Sequence, residues 1–431
     1  MTPSNVLARA LAAALLDGEW EPEPMLARVR VAVGTNRPWM RALVRATRST
    51  FASAPAGSLG ELATWLYTRP AFRNAIRDRL QVVRYATPSP EMAESRWPVP
   101  ALATTRELAT WIGIELDKLD VLADRRGISR TAIDPRARHY RYAWIAKPSG
   151  GHRLVEAPKP RLREAQRRIL DGIIARIPPH EAAHGFRVGR SVISFAQPHV
   201  GREVVVRVDL QAFFSSVFAA RVIGTLRTAG YPEEVSRTLA AICTHRTPND
   251  VLAVAPERDP IDLARLRTPH LPQGAPTSGA LANLAAYRLD VRVAALAAKL
   301  DARYSRYADD LVISGDRDLA RAAPTLVARL ATIAADEGFA LNFRKTRVMT
   351  ASGRQRITGI VVNEKLSAPR AELERLRATL HNCARRGPAT QNRDGHPDYR
   401  AHLRGRVAWI ASIDPTKGAR LRAMFEQIRW E

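Results

Sequence analysis

Cysteine is scarce in this chain: its 431 residues include two, Cys243 and Cys383, far apart and in no Cys-x-x-Cys pattern. That excludes a disulfide framework, gives no zinc-site spacing and fits a reducing cytoplasm. Long apolar runs are also missing. The Ala- and Leu-rich stretch 5–16 is too short to span a bilayer and lacks a basic leader, so it reads as an amphipathic helix. No later stretch reaches spanning length, and no membrane partner is expected. Acidic residues are few beside basic ones: 42 Asp and Glu face 67 Lys and Arg, for a net charge of +25 and a pI near 11.1. Such an excess favours a polyanionic partner, nucleic acid first, over a merely basic surface.

The length suggests two or three domains. Residues 1–95 read as helices with short breaks, from Leu7, Leu11, Leu15 and Leu16 and then Leu59, Leu62, Trp65 and Leu66 at helical spacing. Residues 87–100 hold Pro88, Pro90, Pro98 and Pro100 and read as a linker. Leu108, Ile112, Leu116 and Leu119 mark further helix over 104–130. From Tyr140 the pattern changes. Residues 142–145 and 153–156 flank a turn at Pro148-Ser-Gly-Gly151 and predict a β-hairpin. A helix over 162–177, a strand over 203–210, one long helix over 280–298, two strands meeting within 305–314, and strands over 339–351 and 356–363 follow. The end of the chain, 371–431, reads as helical and basic, with 14 Lys and Arg against 7 Asp and Glu from Lys365 onward. The expected units are a helical extension (1–95), a mixed α+β region (96–365) and a helical end (366–431).

The sharpest motif is Arg306-Tyr-Ala-Asp-Asp-Leu-Val-Ile-Ser314. Adjacent carboxylates in a hairpin repel and are costly to bury unless a cation offsets them. Alone, the pair reads equally as a solvated turn. Val204-Val-Val-Arg-Val-Asp-Leu210 tips the balance: it predicts a buried strand that delivers Asp209 to a sheet edge about a hundred residues earlier. One aspartate at a strand end and two at a hairpin make the constellation of a two-metal polymerase, for which Mg²⁺ is the fitting ion. Between them, Leu271-Pro-Gln-Gly-Ala-Pro-Thr-Ser278 is a turn in which Gly274 allows close backbone approach.

In this order the motifs resemble the palm of reverse transcriptases. Asp209 matches the first motif, Gln273-Gly274 the second and Tyr307-Ala-Asp-Asp310 the third. Lys147-Pro-Ser-Gly-Gly-His-Arg153 with Glu156-Ala-Pro158 resembles the fingers hairpin, and His184-Gly-Phe-Arg-Val-Gly-Arg-Ser191 the next fingers motif. Leu341-Asn-Phe-Arg-Lys-Thr346 is similar to the fourth palm motif and Ile357-Thr-Gly359 to a retron signature. The resemblance covers about residues 110–431 and is closest to the bacterial retron type. One departure is Phe195-Ala-Gln-Pro-His199, where retron enzymes usually carry Asn in place of Phe195; His199 reads as a packed histidine.

The resemblance implies an α+β right-hand polymerase with fingers, a ferredoxin-like palm, a helical thumb and an N-terminal helical extension. It implies an RNA-directed DNA polymerase. Asp209, Asp309 and Asp310 would be catalytic and hold two Mg²⁺ ions with the backbone carbonyl of Leu210. Lys147, Arg153, Phe214, Gln273 and Lys345 would bind the dNTP, with Phe214 crowding the sugar 2′-position; one of Phe213 and Phe214 should be core. Arg187, Arg190, Gly274, Tyr307, Arg375, Arg377, Arg385 and Arg386 would contact nucleic acid, while Trp409 and Trp430 read as core. The implied partners are a cognate structured non-coding RNA, its DNA product and a separate effector protein in antiphage defence. Another bacterial reverse transcriptase, defence-associated or intron-derived, and a non-catalytic RNA-binding scaffold are the alternatives.

Overall fold

The computed structural model describes residues 3–53, 59–78, 80–83, 91–132, 134–147, 150–257 and 259–430. Pro88 and Pro90 of the expected linker, and Pro148 and Ser149 of the expected hairpin turn, lie outside the described residues. The chain divides into two compact units, Met1–Met92 and Ala93–Glu431.

The first unit is helical: Pro3–Leu16, Pro22–Val33, Pro38–Thr50, Leu59–Tyr67 and Pro70–Arg77. The helices that begin at Pro22, Pro38 and Pro70 carry that proline in the first turn, where its missing N–H is unneeded. Leu11, Leu15, Met25, Met40, Leu43, Leu62, Leu66 and Phe72 form a core of their own. The first helix is not amphipathic along its second half. Ala10, Leu11, Ala12, Ala13, Ala14 and Leu15 are all buried, since neighbouring helices cover it on more than one side.

The second unit contains the predicted hairpin. Strands β1 (Tyr140–Ala146) and β2 (His152–Pro158) pair antiparallel, with Tyr140 opposite Pro158 and Ala146 opposite His152. Its main sheet uses β3 (Val204–Asp209), β4 (Arg303–Tyr307), β5 (Asp310–Gly315) and β6 (Arg347–Thr350), antiparallel in the order β4-β5-β3-β6. Val204, Val205, Val206 and Val208 are all buried, as a central strand covered on both faces requires. Helix Arg317–Asp336 packs against β3, β5 and β6. Val205 and Val312 join a cluster with Phe195, Ile357, Leu376, Leu380 and Leu403. The last three belong to the C-terminal helices Arg370–Arg386 and Tyr399–Ile413, which Pro415–Glu426 follows. Trp409 and Trp430 pack against that cluster.

Several boundaries differ from the pattern. The helix expected over 280–298 is two, Ser278–Ala285 and Tyr287–Lys299, broken at Ala286 where ψ is 4°. No glycine or proline marks the break; each half turns one polar side chain, Asn283 or Asp290, toward Arg306. The helix expected over 162–177 ends at Gly172 and continues as a single 3₁₀ turn, Ile174–Arg176. Within 339–351 only β6 is strand, because Phe343–Lys345 closes a 3₁₀ turn. Within 356–363 the strands shrink to β7 (Arg356–Ile357) and β8 (Ile360–Val361), joined through left-handed Thr358 (φ +43°) and Gly359 (φ +90°).

Candidate active site

The three aspartates meet at one end of the main sheet. Asp209 closes β3, and its partner across the sheet is Asp310, the first residue of β5. Ala308 and Asp309 form the turn between β4 and β5, with Ala308 left-handed at φ +55°. The Leu210 N–H donates to the Asp309 carbonyl at 2.9 Å, tying the exit of β3 to that turn. The Asn342 N–H donates to the Asp209 carbonyl at 2.7 Å, and the Gln211 N–H to the Ala340 carbonyl at 2.7 Å. These bonds bring the segment carrying Lys345 alongside. Its Nζ lies 3.1 and 3.0 Å from the two carboxylate oxygens of Asp209, which is only 5% exposed.

Burial pushes the Asp309 carboxyl up to about 6, and the charges of Asp209 and Asp310 push the same way. From an ordinary 3.8, that shift is an electrostatic penalty on the order of 3 kcal/mol. The site is short of positive charge. A divalent cation between Asp209 and Asp309 would relieve it, so the donor set fits a hard metal ion. Asp310 is engaged differently. Arg207 Nε and Nη2 donate to its Oδ1 at 3.0 and 2.7 Å, Nη2 also to Oδ2 at 2.9 Å, and the Thr358 hydroxyl to Oδ2 at 3.2 Å. Among the described residues no three acidic, His or Cys side chains are already gathered around one point. The arrangement is one carboxylate, Asp209, on an ammonium, one, Asp310, held by a guanidinium, and Asp309 beside them with its charge disfavoured.

Phe213 and Phe214 divide their roles. Phe213 is buried against Phe339 with ring centroids 5.7 Å apart, whereas Phe214 is half-buried at the site's rim. The Gln273-Gly274 turn is clamped to the hairpin: the Glu156 N–H donates to the Gln273 carbonyl at 2.9 Å. Gly274 sits at φ +138°, and a Cβ there would stand 3.0 Å from the Glu156 carbonyl. Glu156 itself is buried. It accepts from Thr247 Oγ at 2.7 Å and from His270 Nε2 at 2.9 Å, while His270 Nδ1 faces the Thr268 carbonyl at 2.8 Å. Both ring nitrogens of His270 therefore face acceptors. Burial opposes charge on the ring, but the Glu156 carboxylate and its hydrogen bond prevail and hold the imidazole above its usual range.

The remaining predicted residues are spread more widely. Lys147 and Arg153 are exposed on the hairpin. Arg187 and Arg190 are not free cations: both pair with Glu181, at 3.0 and 2.8 Å. Tyr307 packs on Phe195 at 5.7 Å and faces Asp310 in the register. Arg375, Arg377, Arg385 and Arg386 are exposed on helix Arg370–Arg386, but they flank its buried Leu376, Leu380 and Cys383 on both sides and do not form one row. His199 is a packed histidine. Its Nδ1 is 2.7 Å from Ser314 Oγ and its Nε2 2.6 Å from Ser305 Oγ, so it staples β4 to β5 behind the aspartates.

Sequence reading missed Arg306, which is wholly buried. Its Nε and Nη2 donate to the two carboxylate oxygens of Asp290, each at 2.7 Å, and its Nη1 donates to Asn283 Oδ1 and to the Ala308 carbonyl, both at 3.0 Å. The guanidinium thus holds the backbone one residue before Asp309. Its signal was present: a charged residue beside Ser305 in the strand leading to the Asp pair, with an aspartate inside a helix to meet it. Arg207 was missed too, although it lies two residues before Asp209 and so on the same strand face.

Residues 145–371 match the family described as reverse transcriptase (RNA-dependent DNA polymerase). The chain belongs to that family; its fold is the right-hand polymerase and its activity is RNA-directed DNA polymerisation. Within it, the chain is of the retron type. It is 39% identical over 364 residues to the retron Mx65 reverse transcriptase of Myxococcus xanthus, an alignment spanning 82% of this chain and 78% of that one. It is 34% identical over 403 residues to the retron Mx162 reverse transcriptase of the same organism, with 90% and 78% covered. To the retron Ec86 reverse transcriptase of Escherichia coli it is 28% identical over 289 residues, with 65% and 79% covered. Among the described residues no helix is long and apolar enough to cross a membrane.

Proposed function

We propose that this chain copies part of a cognate structured non-coding RNA into short single-stranded DNA, leaving an RNA–DNA hybrid, and that it does so in the cytoplasm as part of antiphage defence with a separate effector protein. The observation that carries the catalytic half of this reading is the close meeting of Asp209 and Asp309, one compensated by an ammonium and the other pushed up by burial and by its acidic neighbours. Asp209, Asp309 and the Leu210 carbonyl, with Asp310 in support, would hold two Mg²⁺ ions, which would supply Lewis acidity toward the primer hydroxyl and positive charge for the leaving pyrophosphate. Asp310 acts from behind, fixed by Arg207. Lys345, already on Asp209, is placed to meet the leaving pyrophosphate. Lys147 and Arg153 hold the triphosphate, and Gln273 and Gly274 abut the templating pair. Phe214 excludes a 2′-hydroxyl, so dNTPs are the substrates.

In this reading residues 96–365 are fingers and palm, and residues 366–431 are the thumb. Arg375, Arg377, Arg385 and Arg386 grip the template–primer backbone from more than one side, and Tyr307 lies under the primer end. Arg187 and Arg190 reach phosphate only by leaving Glu181. Residues 1–95 form a helical extension that binds the effector or the RNA, or braces the fingers. The test is to isolate the chain from its own cells and sequence the nucleic acid that comes with it. DNA covalently joined to one RNA species supports the reading; RNA alone, or DNA of random origin, refutes the retron product.

A further inference from the structure

Phe186 sits where three segments of the site meet. It is 53% exposed, and its backbone has φ +56°, a conformation that bulky residues rarely adopt. Its ring meets Phe214 edge-on, with centroids 5.8 Å apart and planes at 64°. On another side it lies against Gly279, at the start of helix Ser278–Ala285; a Cβ on Gly279 would overlap the ring. The residue before it, Gly185, lies so close to the Asp309 turn that a Cβ there would stand 2.8 Å from the Ala308 nitrogen. The Gly185 carbonyl accepts from Asn283 Nδ2 at 2.7 Å, and the His184 N–H donates to the Arg306 carbonyl at 2.8 Å. The backbone is therefore pinned to the turn and to the helix, and it holds a phenyl ring half in water against another phenyl ring. Burial alone does not account for that placement, because a ring this exposed gains little from leaving water.

We infer that Phe186 is a positioning residue for sugar selection: its ring edge fixes the pose of Phe214. The inference rests on the reading of Phe214 as the residue that crowds the sugar. With the Phe186 ring gone, Phe214 gains rotamer freedom and yields to a 2′-hydroxyl. Glycine adopts φ +56° without strain, so Phe186→Gly removes the ring while leaving the backbone at ease.

The experiment measures kcat and KM for single dNTP and rNTP additions on an RNA template, using the full chain. Phe186→Gly should raise the relative efficiency of rNTP use by roughly three- to tenfold, the scale of an aromatic pair, mainly through a lower KM for rNTP. Phe186→Tyr, which keeps the ring edge, should discriminate as the unchanged protein does. Adding Phe186→Gly to Phe214→Ala should relax discrimination no further than Phe214→Ala alone. If Phe186→Gly does not accumulate as folded protein, Phe186→Leu removes the ring edge while keeping apolar bulk and should show the same relaxation. A permissive Phe214→Ala beside an unchanged Phe186→Gly or Phe186→Leu overturns this inference alone, and so does an additive double variant. An unchanged Phe214→Ala overturns the sugar-crowding reading, and this inference with it.

Discussion

Replacing Asp290 by Asn leaves the Arg306 guanidinium buried without its counter-charge. Both side chains are fully inaccessible, and the pair is joined by two 2.7 Å bonds, with the Tyr304 hydroxyl adding a third to Asp290 at 2.6 Å. Breaking one side of such a pair costs about 3–5 kcal/mol. Asp290→Asn should therefore lower the stability of the unit Ala93–Glu431 by about that much in urea denaturation. A second variant separates stability from function. Asp290→Leu with Arg306→Met exchanges the pair for apolar volume, and such exchanges are often neutral or stabilising. That double variant loses the 3.0 Å bond from Arg306 to the Ala308 carbonyl, so the Asp309 turn is no longer held. It also strips the Tyr304 hydroxyl and the Asn283 amide oxygen of their partners, at about 1–3 kcal/mol each, so its rate is measured on the folded fraction, which should extend primers about tenfold to a hundredfold more slowly. The reasoning is refuted if Asp290→Asn costs under about 1 kcal/mol, below the range for a broken buried pair, or if the folded double variant polymerises at full rate.

Three further perturbations probe the same region. Burial, with His184 and Arg202 nearby, pushes the His199 imidazole down to about 3, from an ordinary 6.5. A depressed histidine contributes stability that is complete above pH 6.5 and is lost as pH falls toward 3, at up to about 1.4 kcal/mol per pH unit. His184 and His245, each at about 4, act in the same direction. His199→Gln should therefore flatten the acid limb of stability between pH 7 and pH 4, and an unchanged slope in denaturation would contradict the assignment. Gly185→Ala would force a methyl to within 2.8 Å of the Ala308 nitrogen, so primer extension should fall by about tenfold or more; full activity would show that the turn tolerates displacement. Lys345→Met frees Asp209 from its ammonium, so half-maximal activity should need less Mg²⁺ in a metal titration; a higher requirement would mean that Lys345 does not compete for that carboxylate.

The meeting of the aspartates was legible from the chain because it rests on strand ends and a tight turn. A valine-rich strand that stops at Asp209 and a hairpin that turns at Ala308 and Asp309 put carboxylates at one sheet edge, once the two strands pair with Asp209 opposite Asp310. The state of each carboxylate was less legible. Asp310 is held by Arg207, and a cross-strand partner depends on the pairing register, which local pattern leaves open. The break at Ala286 was hidden for a related reason: alanine favours helix on both sides, and what accompanies the break, the meeting of Asn283 and Asp290 at Arg306, is a tertiary contact that local pattern does not carry. The first helix looked amphipathic because alanine counts little in periodicity, yet small alanines are what allow neighbours to pack close around it. The pairing of Arg187 and Arg190 with Glu181 was equally beyond a reading by charge count.

The most direct test of the central claim is primer extension on an RNA template with Mg²⁺ and dNTPs, comparing the unchanged chain with Asp209→Asn and Asp309→Asn. Each variant should fold, retain RNA binding in a filter or mobility assay, and lose at least about a thousandfold in rate, on the order of 4 kcal/mol of barrier. Extension by either variant at a rate near that of the unchanged chain would remove these two carboxylates from the chemistry.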